Sequence, residues 1–283
     1  AAVRITVVGS INLDFVASAP HLPAAGETVT GATLARHPGG KGANQALAAA
    51  RMGADVCMIG RVGSDGMAEE AMALLIAGDV DLNGVLSDAS APTGVALIAV
   101  DPSGENQIVV AAGANHAVTP EQLPQRIETP LIVQLELPIE TVEAAVGRAT
   151  EFVCVNLAPA APVSDQMLRR ADLIIVNEVE AAFYGDLLHN GGGRVVVTLG
   201  AKGAVMYQRG GEIARAAPPK VRAVDATGAG DSFVGAITVA LLEGMEPEAA
   251  LRFACAAGAI TATRAGAQPS LPMRDEVDVA LQF

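Results

Sequence analysis

The sequence predicts a doubly wound α/β fold, with a mostly parallel sheet, helices on both faces and a small additional β-sheet. Three observations predict it. Short β-branched runs alternate with Ala- and Leu-rich stretches along the chain. Several of these runs are continuously apolar, which is typical of parallel strands that helices cover on both faces. Two Gly- and Pro-containing stretches interrupt the alternation and show no helical pattern. The alternation predicts the main sheet, and the interruptions predict the additional one.

The elements of the main fold follow in order. The first strand is predicted at "RITVVGS", a helix closed by Gly53 at "KGANQALAAARMG", and the next strand at "DVCMIGRVG". The stretch "DGMAEEAMALLIAG" predicts an amphipathic helix capped by Asp65. Four further apolar runs predict strands at "LIVQLEL", "FVCVNLA", "DLIIVNE" and "RVVVTLG". Residues 221–224 predict one more strand, before a helix with apolar positions at Phe233, Val234, Ile237, Leu241 and Leu242.

The two interruptions predict a lid. The segment 93–113 reads as a β-hairpin that turns at Asp101–Gly104, and the segment 12–38 is rich in β-formers, Gly and Pro. Neither piece can bury a core of its own, so we expect one small sheet protruding from a single α/β domain over 1–283. One side of its strands is apolar and its edge is open, which predicts a homodimer formed through two lids.

Composition excludes several classes of protein. The 283 residues include 31 acidic and 18 basic ones, for a net charge of −13, which argues against non-specific nucleic-acid binding. No apolar run reaches the roughly 18 residues of a membrane span, and "AAVRITVVGS" lacks the pattern of a signal peptide. Cys57, Cys154 and Cys255 are odd in number and far apart, which favours reduced thiols in the cytoplasm.

The stretch "DATGAGDSF", Asp225 to Phe233, predicts an anion site. A Gly- and Ala-containing turn that opens a helix leaves backbone N–H groups unpaired, and the helix dipole adds positive potential there. The stretch is not a P-loop, because no G-x4-G-K-[ST] occurs in the chain. It is not a dinucleotide fingerprint either, since Phe233 stands where the third glycine belongs. A nicotinamide enzyme is therefore disfavoured.

Asp231 admits two interpretations. A carboxylate beside an anion hole would repel a bound phosphate, but in phosphoryl transfer it can accept the proton of an attacking hydroxyl. Alternatively, it caps the helix and has no chemical role.

A second group of polar residues lies at strand and loop ends. "GSINLD" places Asn12 and Asp14 after the first strand, "PGGKGANQA" supplies Lys41 and Asn44, and "QLELP" supplies Glu136. Because ligands of open α/β sheets bind at the carboxyl ends of the strands, these side chains suit a polyhydroxylated ligand.

With these motifs in place, the chain resembles the ribokinase (PfkB) family of sugar kinases. The segments "GSINLD", "PGGKGANQALAAARMGA", "TGVALIAV…GEN…GAN", "QLELP", "NEVEA", "TLGAKG", "DATGAGDSFVGA" and "TRAGAQPSLP" occur in the family's order, nearly end to end. The resemblance implies an ATP-dependent kinase that phosphorylates the primary (5-) hydroxyl of D-ribose. Two alternative functions remain open. The first is a related kinase that acts on a nucleoside or on another sugar, such as deoxyribose or a keto-deoxy sugar acid. The second is a sugar-binding relative without catalytic activity.

The resemblance also implies roles for residues. Asp231 is the general base, beside an anion hole of Gly228, Ala229 and Gly230. The sugar site is Asn12, Asp14, Gly40, Lys41, Asn44 and Glu136, together with Asp231. The nucleotide site is Asn177, Thr198, Leu199, Gly200, Ala201, Lys202, Gly203, Gly230 and Cys255.

Two ions are implied by the same resemblance. Glu180 helps to place Mg²⁺ through water, as part of the pattern that begins at Asn177. A potassium site is formed by Asp225, Thr227, Thr261, Arg264, Gly266 and Ser270. The chain departs from the family where only 20 residues separate Asn177 from Thr198, and where Cys255 replaces a frequent histidine. These departures predict an altered nucleotide side.

Overall fold

The computed structural model describes residues 1–282, which form thirteen β-strands and eight α-helices joined by short 3₁₀ turns. The strands are β1 (Arg4–Val8), β2 (Asn12–Ser18), β3 (Thr33–Gly39), β4 (Asp55–Gly63), β5 (Asp81–Asp88), β6 (Gly94–Val100), β7 (Asn106–Ala111), β8 (Leu131–Val133), β9 (Val153–Asn156), β10 (Leu173–Asn177), β11 (Arg194–Thr198), β12 (Ala204–Gln208) and β13 (Gly211–Ala216). The helices are α1 (Lys41–Arg51), α2 (Gly66–Ala77), α3 (Ile139–Arg148), α4 (Asp165–Arg170), α5 (Glu178–Tyr184), α6 (Ala229–Leu242), α7 (Pro247–Ala262) and α8 (Arg274–Ala280).

The main sheet has the order β13-β12-β11-β10-β9-β8-β1-β4-β5. Its strands from β11 to β5 are parallel, and the β12–β13 hairpin adds two antiparallel strands at one edge. One buried cluster of apolar residues joins this sheet to α1, α2, α6 and α7, and a second joins it to α3, α4 and α5. Helices therefore cover both faces, and the predicted doubly wound fold is confirmed.

Local signals account for most of the element ends. α1 is followed by Gly53, whose φ of 102° suits glycine, and α2 begins at Asp65, whose side chain accepts a hydrogen bond from Ala68 N. Both predictions are confirmed. The strand predicted over 221–224 is wrong, because the chain there is irregular. Pro218 and Pro219 lack the N–H that a strand ladder needs, so β13 ends at Ala216.

The smaller sheet has the order β3-β2-β6-β7 and stands apart from the main one. β2 pairs antiparallel with β3 and parallel with β6, so that Asn12 lies beside Gly39 and Gly94 at the base of the sheet. β6 and β7 form the predicted hairpin, and the turn is closed by a hydrogen bond from Gly104 N to Asp101 O. This sheet leaves several large apolar side chains exposed, at Leu34, Leu97, Ile108, Val109 and Val110.

The short connection between Asn177 and Thr198 contains α5 and one 3₁₀ turn, Gly185–His189. It leaves Val179, Phe183 and Leu187 exposed at four-residue intervals. Across residues 1–282, no helix combines the length and the apolar character that crossing a membrane requires.

Candidate functional site

Polar side chains collect at the carboxyl edge of the main sheet. Ser10 follows β1, Gln134 follows β8, and Asn156 ends β9. Asn177 and Thr198 end the next two parallel strands and lie opposite each other in register. Parallel strands bring their carboxyl ends to one edge, so residues distant in sequence meet there. This edge, between the main sheet and the base of the small sheet, is the candidate site.

The N-terminus of α1 is tied to this edge by hydrogen bonds within the protein. Glu136 Oε1 accepts from Lys41 N at 2.8 Å and from Ser10 Oγ at 2.6 Å, while Ser10 Oγ accepts from Gly42 N at 3.2 Å. A methyl group on Gly42 would lie 2.4 Å from Ser10 N, so only glycine allows this close approach. The loop is therefore pre-formed, with Lys41 placed beside Glu136.

Asn12 and Asn44 contribute side-chain amides to this edge of the sheet. Asn12 is buried, and its Oδ1 accepts a hydrogen bond of 2.8 Å from Asn115 Nδ2. Asn115 Oδ1 accepts in turn from Ile11 N at 3.0 Å. Asn44 Nδ2 donates to Asp231 Oδ2 at 2.9 Å, but its buried Oδ1 has no hydrogen-bond partner among the described residues. An unpaired acceptor in a buried polar site suits a ligand hydroxyl.

Asp231 lies at the floor of the site, 8% exposed. It occupies the third position of α6, whose N-cap is Gly228, and both of its carboxylate oxygens accept from side chains of α1 instead of from the backbone of its own helix. The helix-cap interpretation is therefore wrong. The two amide donors are Asn44 Nδ2 and Gln45 Nε2, each at 2.9 Å.

The charges of the site influence one another. Burial raises the pKa of Asp231, while Lys41 and the amides of Asn44 and Gln45 act to lower it. Burial, followed by the charges of Glu136 and Asp231, raises the pKa of Asp14 to about 7. Asp231 is the largest cause of a raised pKa at Lys41. Three carboxylates and one ammonium thus share this edge, and Asp14 is poised to change its charge near neutral pH.

The N-terminus of α6 is more open. Gly228 adopts a φ of 82°, and a Cβ at this position would lie 3.0 Å from Ala267 Cα. The amide of Ala229 donates to Ala226 O at 3.1 Å. Within residues 1–282 the amides of Gly230 and Asp231 form no such bond. A methyl group added to Gly230 would meet no atom of the described chain within 4 Å. The open amides and the helix dipole can receive an anion.

Asp225 connects this helix start to a second loop. Its Oδ1 accepts from Thr227 N at 2.9 Å and its Oδ2 from Gly266 N at 3.1 Å. Partial burial acts to raise its pKa, but the hydrogen bonds from Thr227 and Gly266 and the charge of His37 hold that pKa below its usual value. Asp225 therefore remains a carboxylate.

Oxygen atoms surround the same loop. Ser270 is fully buried and its hydroxyl donates to Ala267 O at 2.5 Å, and the buried Thr261 accepts at its carbonyl from Arg264 N at 3.2 Å. A carboxylate, a hydroxyl and backbone carbonyls are the donors that a hard monovalent cation prefers. The chemical types of these donors therefore fit the monovalent cation that the family resemblance implies.

The remaining predicted positions lie on the β10–β11 side. Asn177 caps α5 by accepting from Glu180 N at 2.8 Å, and Glu180 Oε1 accepts from Asn177 N at 2.9 Å. Thr198 to Gly203 follow as a turn that is exposed at Gly200, Ala201 and Lys202, and Leu199 N donates to Gly203 O at 2.8 Å. Cys255 lies within α7, where burial raises the pKa of its thiol to about 11. Its 5% exposure leaves little surface for a ligand, and its nucleotide role stays a prediction.

A cavity of about 840 Å³ adjoins the site beneath the small sheet. Asp14 and His37 line it from the strands of that sheet, and Asp225, Thr227 and Gly266 line it from the loops beside α6. One predicted sugar residue, Asp14, and three predicted cation residues, Asp225, Thr227 and Gly266, therefore line the same cavity.

Sequence reasoning missed five polar residues of this edge. They are Ser10, Gln45, Asn115, Gln134 and Asn156. An amide close to the carboxyl end of an apolar run, the signal that drew attention to Asn12, is also present at Gln134 and Asn156.

Comparison with known proteins agrees with this geometry. Residues 3–274 match the pfkB family of carbohydrate kinases. The chain is 38% identical over 296 residues to a ribokinase of Haemophilus influenzae, covering 96% of each chain. It is 38% identical over 308 residues to a ribokinase of Schizosaccharomyces pombe, covering 98% of this chain and 97% of that one.

Solved structures show the same likeness. The ribokinase of Thermotoga maritima superposes with a TM-score of 0.91 at 34% identity, covering 99% of this chain and 100% of that chain. The ribokinase of Arabidopsis thaliana in complex with ribose and ATP superposes with a TM-score of 0.85 at 30% identity, covering all of both chains. The match to the family over nearly the full length, with a buried carboxylate beside an open helix start, leads to one conclusion: this chain is an ATP-dependent carbohydrate kinase of the pfkB family.

Proposed function

We propose that this kinase transfers the γ-phosphoryl group of ATP to the primary hydroxyl of D-ribose, giving ribose 5-phosphate and ADP. The observation that carries the proposal is the buried carboxylate of Asp231 beside the open amide of Gly230. A hydroxyl can lose its proton on one side of this pair while phosphoryl oxygens are held on the other. The choice of ribose is supported by the relatives, which are named ribokinases.

The reaction follows from the placement of these groups. Asp231 accepts the proton of the 5-hydroxyl as the sugar oxygen forms a bond to the γ-phosphorus. The bond from that phosphorus to the bridging oxygen of ADP breaks, and the electron pair leaves with ADP. Lys41 and the open amide of Gly230 at the start of α6 offset negative charge around the transferred group, whereas the amide of Ala229 is already bonded to Ala226 O. The products are a phosphate ester, ADP and the proton that Asp231 received.

The sugar hydroxyls are assigned to the polar groups at the base of the small sheet. Asp14, Glu136 and the unpaired Oδ1 of Asn44 accept hydrogen bonds from hydroxyls. Lys41 and Asn12 complete the set, and Gly40 lets the backbone come close, since a Cβ there would lie 2.9 Å from Asn12 N. Five or six such groups suit a small polyhydroxylated molecule.

Nucleotide and Mg²⁺ are assigned to the β10–β11 side. We assign the binding of ATP to Asn177, the turn Thr198–Gly203 and Cys255 of α7, together with Gly230. Glu180 can share in holding Mg²⁺ through water, because only one of its carboxylate oxygens is engaged in the cap of α5. The described residues hold no group of three or more His, Cys, Asp or Glu arranged for a metal ion. Mg²⁺ would therefore rely largely on the phosphates of ATP, where it neutralises charge.

An assay over several sugars tests the function. Purified protein is supplied with Mg-ATP and with ribose, deoxyribose, a keto-deoxy sugar acid or a nucleoside, and ADP release is followed by a coupled reaction. We expect ribose to give the highest kcat/KM. A higher value for another acceptor would replace ribose within the same mechanism, and sugar binding without ADP release would indicate a non-catalytic relative.

Potassium is proposed as an activator at the loop beside α6. Asp225, Ser270 and the carbonyls of Thr227, Thr261, Arg264 and Gly266 would hold it, and Asp225 already links Thr227 to Gly266. A cation there neutralises the carboxylate and stabilises the loop that presents the amide of Gly230.

Exchange of the monovalent ion tests this assignment. Activity should fall when potassium is replaced by sodium or lithium, and Asp225→Ala should remove the difference between the ions. Asp65→Ala, which changes the distant cap of α2, serves as the control and should keep the ion preference. Equal rates in all three ions would count against the site.

The small sheet is proposed to act as a lid and as a homodimer interface in the cytoplasm. Leu34, Leu97 and Val109 are between 51% and 66% exposed, an apolar face that a monomer would leave in water. Light scattering at micromolar concentration should give the mass of a dimer. Leu97→Glu should give a monomer, whereas Val179→Glu, a matched change at an exposed residue of α5, should not. A monomeric unaltered chain would overturn the assignment.

A further inference from the structure

We propose that Gln45 is a positioning residue for Asp231, and that Gln134 and Asn156 hold its amide in the required orientation. The inference rests on the phosphoryl transfer proposed above, in which Asp231 acts as the base. None of the three side chains needs to touch the sugar or ATP for this role. They form a chain of amides that begins at the carboxyl edge of the main sheet and ends at the base.

The contacts of Gln45 carry the first step. This residue lies on α1 and is 0% exposed. Its Nε2 donates to Asp231 Oδ1 at 2.9 Å and to Asn156 Oδ1 at 2.9 Å, so both of its amide protons are used. Asn44, the preceding residue, donates to the other oxygen of Asp231. Consecutive residues of α1 therefore donate to the two carboxylate oxygens of Asp231, and these two hydrogen bonds limit the rotation of the carboxylate.

The second step concerns the orientation of the Gln45 amide. Gln45 Oε1 accepts a hydrogen bond of 2.7 Å from Gln134 Nε2. A flipped amide would place its oxygen against the carboxylate of Asp231 and its NH₂ against the NH₂ of Gln134, and both contacts would be repulsive. Asn156 is fixed separately, since its Nδ2 donates to Ile175 O at 3.1 Å. The two neighbours thus leave Gln45 one orientation, with a donor toward Asp231.

The third step separates this role from simple core packing. Three buried amides at a sheet edge are costly, and apolar side chains of similar size would fill the same space at lower cost. The hydrogen bonding of the network is also incomplete, because Gln134 Oε1 is buried without a hydrogen-bond partner in the described part of the chain. A network that served stability alone would not leave a buried acceptor unpaired. The amides provide a hydrogen-bond donor, Gln45 Nε2, that is held in a fixed direction toward Asp231.

The expected consequence is a change in chemistry and not in sugar affinity. Burial raises the pKa of Asp231, and Lys41 and the two amides counter this effect. Loss of the Gln45 donor should raise that pKa further, so the acid limb of the kcat profile should move to higher pH. Asp14, Lys41 and Glu136 also face Asp231, and they remain unchanged in this comparison.

The experiment compares Gln45→Met, Gln134→Met and the double variant, using whichever sugar the unaltered chain phosphorylates. A hydrogen bond to a charged group is worth about 10- to 100-fold in an equilibrium or a rate, so Gln45→Met should lower kcat by that order. KM for the sugar should change little. Gln134→Met should have a smaller effect in the same direction, and the double variant should be no slower than Gln45→Met, because Gln134 acts through Gln45.

Gln122→Met provides the matched control. Gln122 donates to Gly60 O at 2.6 Å and takes no part in the hydrogen bonds of Asp231, so its loss should lower the melting temperature without changing kcat or the pH profile. Normal kcat and a normal pH profile in folded Gln45→Met would overturn the proposal, as would additive losses in the double variant. If Gln45→Met does not fold, the kcat and the pH profile of Gln134→Met test the proposal instead. Failure of the sugar assay in the unaltered chain would instead overturn the proposed function.

Discussion

Two helices of this kinase begin at the same edge of the sheet with Gly-rich sequences, yet their N-termini differ in how their amides are used. At α1, the amides of Lys41 and Gly42 donate to Glu136 and Ser10, and the surroundings are buried. At α6, the amide of Gly230 is left open and exposed. A Gly-rich helix start is therefore not by itself an anion site. The decisive feature is whether side chains of the protein have already satisfied the amides.

The difference assigns a separate task to each helix. The start of α1 is rigid and carries side chains, Lys41, Asn44 and Gln45, that project into the site. The start of α6 presents bare backbone and one carboxylate, Asp231, that is held by α1. The proposed base thus lies on α6, and the side chains that orient it lie on α1. Substitutions on the two helices should break catalysis in different ways.

The largest effect is expected at Asp231. Asp231→Asn cannot accept the hydroxyl proton, and general-base catalysis is worth about 10²–10⁴-fold, so kcat should fall by that order. Sugar affinity should change little, because Asn12, Asp14 and Lys41 are intact. One amide donor of α1 would face the new NH₂ group, so some loss of stability, about 1–3 kcal/mol, is also expected.

Turnover at saturating ATP and sugar, calorimetric affinity for the sugar and a thermal melt measure these three effects. Asp65→Asn makes the same chemical change at a true helix cap. It should lower the melting temperature without altering turnover, because Asp65 also accepts hydrogen bonds from Thr93 N and Thr93 Oγ1 and the new NH₂ group cannot accept. Turnover of Asp231→Asn close to that of the unaltered chain would remove Asp231 as the base.

The second effect separates the two helix starts with one substitution. Gly42→Ala places a methyl 2.4 Å from Ser10 N, a backbone contact that cannot relax cheaply, so stability should fall by about 1–3 kcal/mol or more. Gly230→Ala meets no atom within 4 Å, so the melting temperature should hold. Its methyl would stand beside the open amide, and kcat/KM for ATP should fall by about 10- to 100-fold.

Thermal melts and steady-state kinetics on both variants make this comparison. Each variant is the control for the other, because the chemical change is identical. If Gly230→Ala retained the full kcat/KM for ATP, the open amide would have no part in holding the nucleotide. An unchanged melting temperature in Gly42→Ala would show that the start of α1 is not held as tightly as its hydrogen bonds imply.

Local patterns were sufficient to predict most of the fold. Continuous apolar runs predicted the parallel strands β1, β4 and β8 to β11, and the sequence from Asp101 to Gly104 predicted the lid turn. The prediction of a strand over 221–224 was wrong. It relied on the alternation of apolar residues there and gave too little weight to Pro218 and Pro219 just before it.

The site was predictable only in part, and the reason is distance along the chain. Asp231 and its neighbours were found because Gly and Asp cluster locally there. Gln45 was passed over because its partners, Gln134 and Asp231, lie 89 and 186 residues away and meet it only in the fold. Spacing alone also could not separate a helix cap from the third helical position, which depends on the backbone conformation of Gly228.

The smallest effect is a pH dependence of sugar binding that arises at Asp14, on strand β2 of the small sheet. Burial, with Glu136 and Asp231, raises the pKa of Asp14 to about 7, and sugar hydroxyls donate to the ionised form. Affinity for the sugar should therefore increase with pH and change at most about tenfold between pH 6 and pH 8.

The same shift has the opposite sign for folding. A carboxyl whose pKa is higher in the folded state holds its proton more tightly there, so the contribution of Asp14 to stability declines as pH rises from its ordinary pKa of 3.8 toward 7. Asp14→Asn should remove that decline and also the pH dependence of sugar affinity, while lowering the affinity itself. Asp101→Asn, in the exposed turn of the lid, should change neither. Calorimetry without nucleotide and thermal melts at pH 6, 7 and 8 measure both. If the pH dependence of affinity persisted in Asp14→Asn, the titrating group would be Asp231, and the start of α6 would control the binding of the sugar instead of strand β2 of the small sheet.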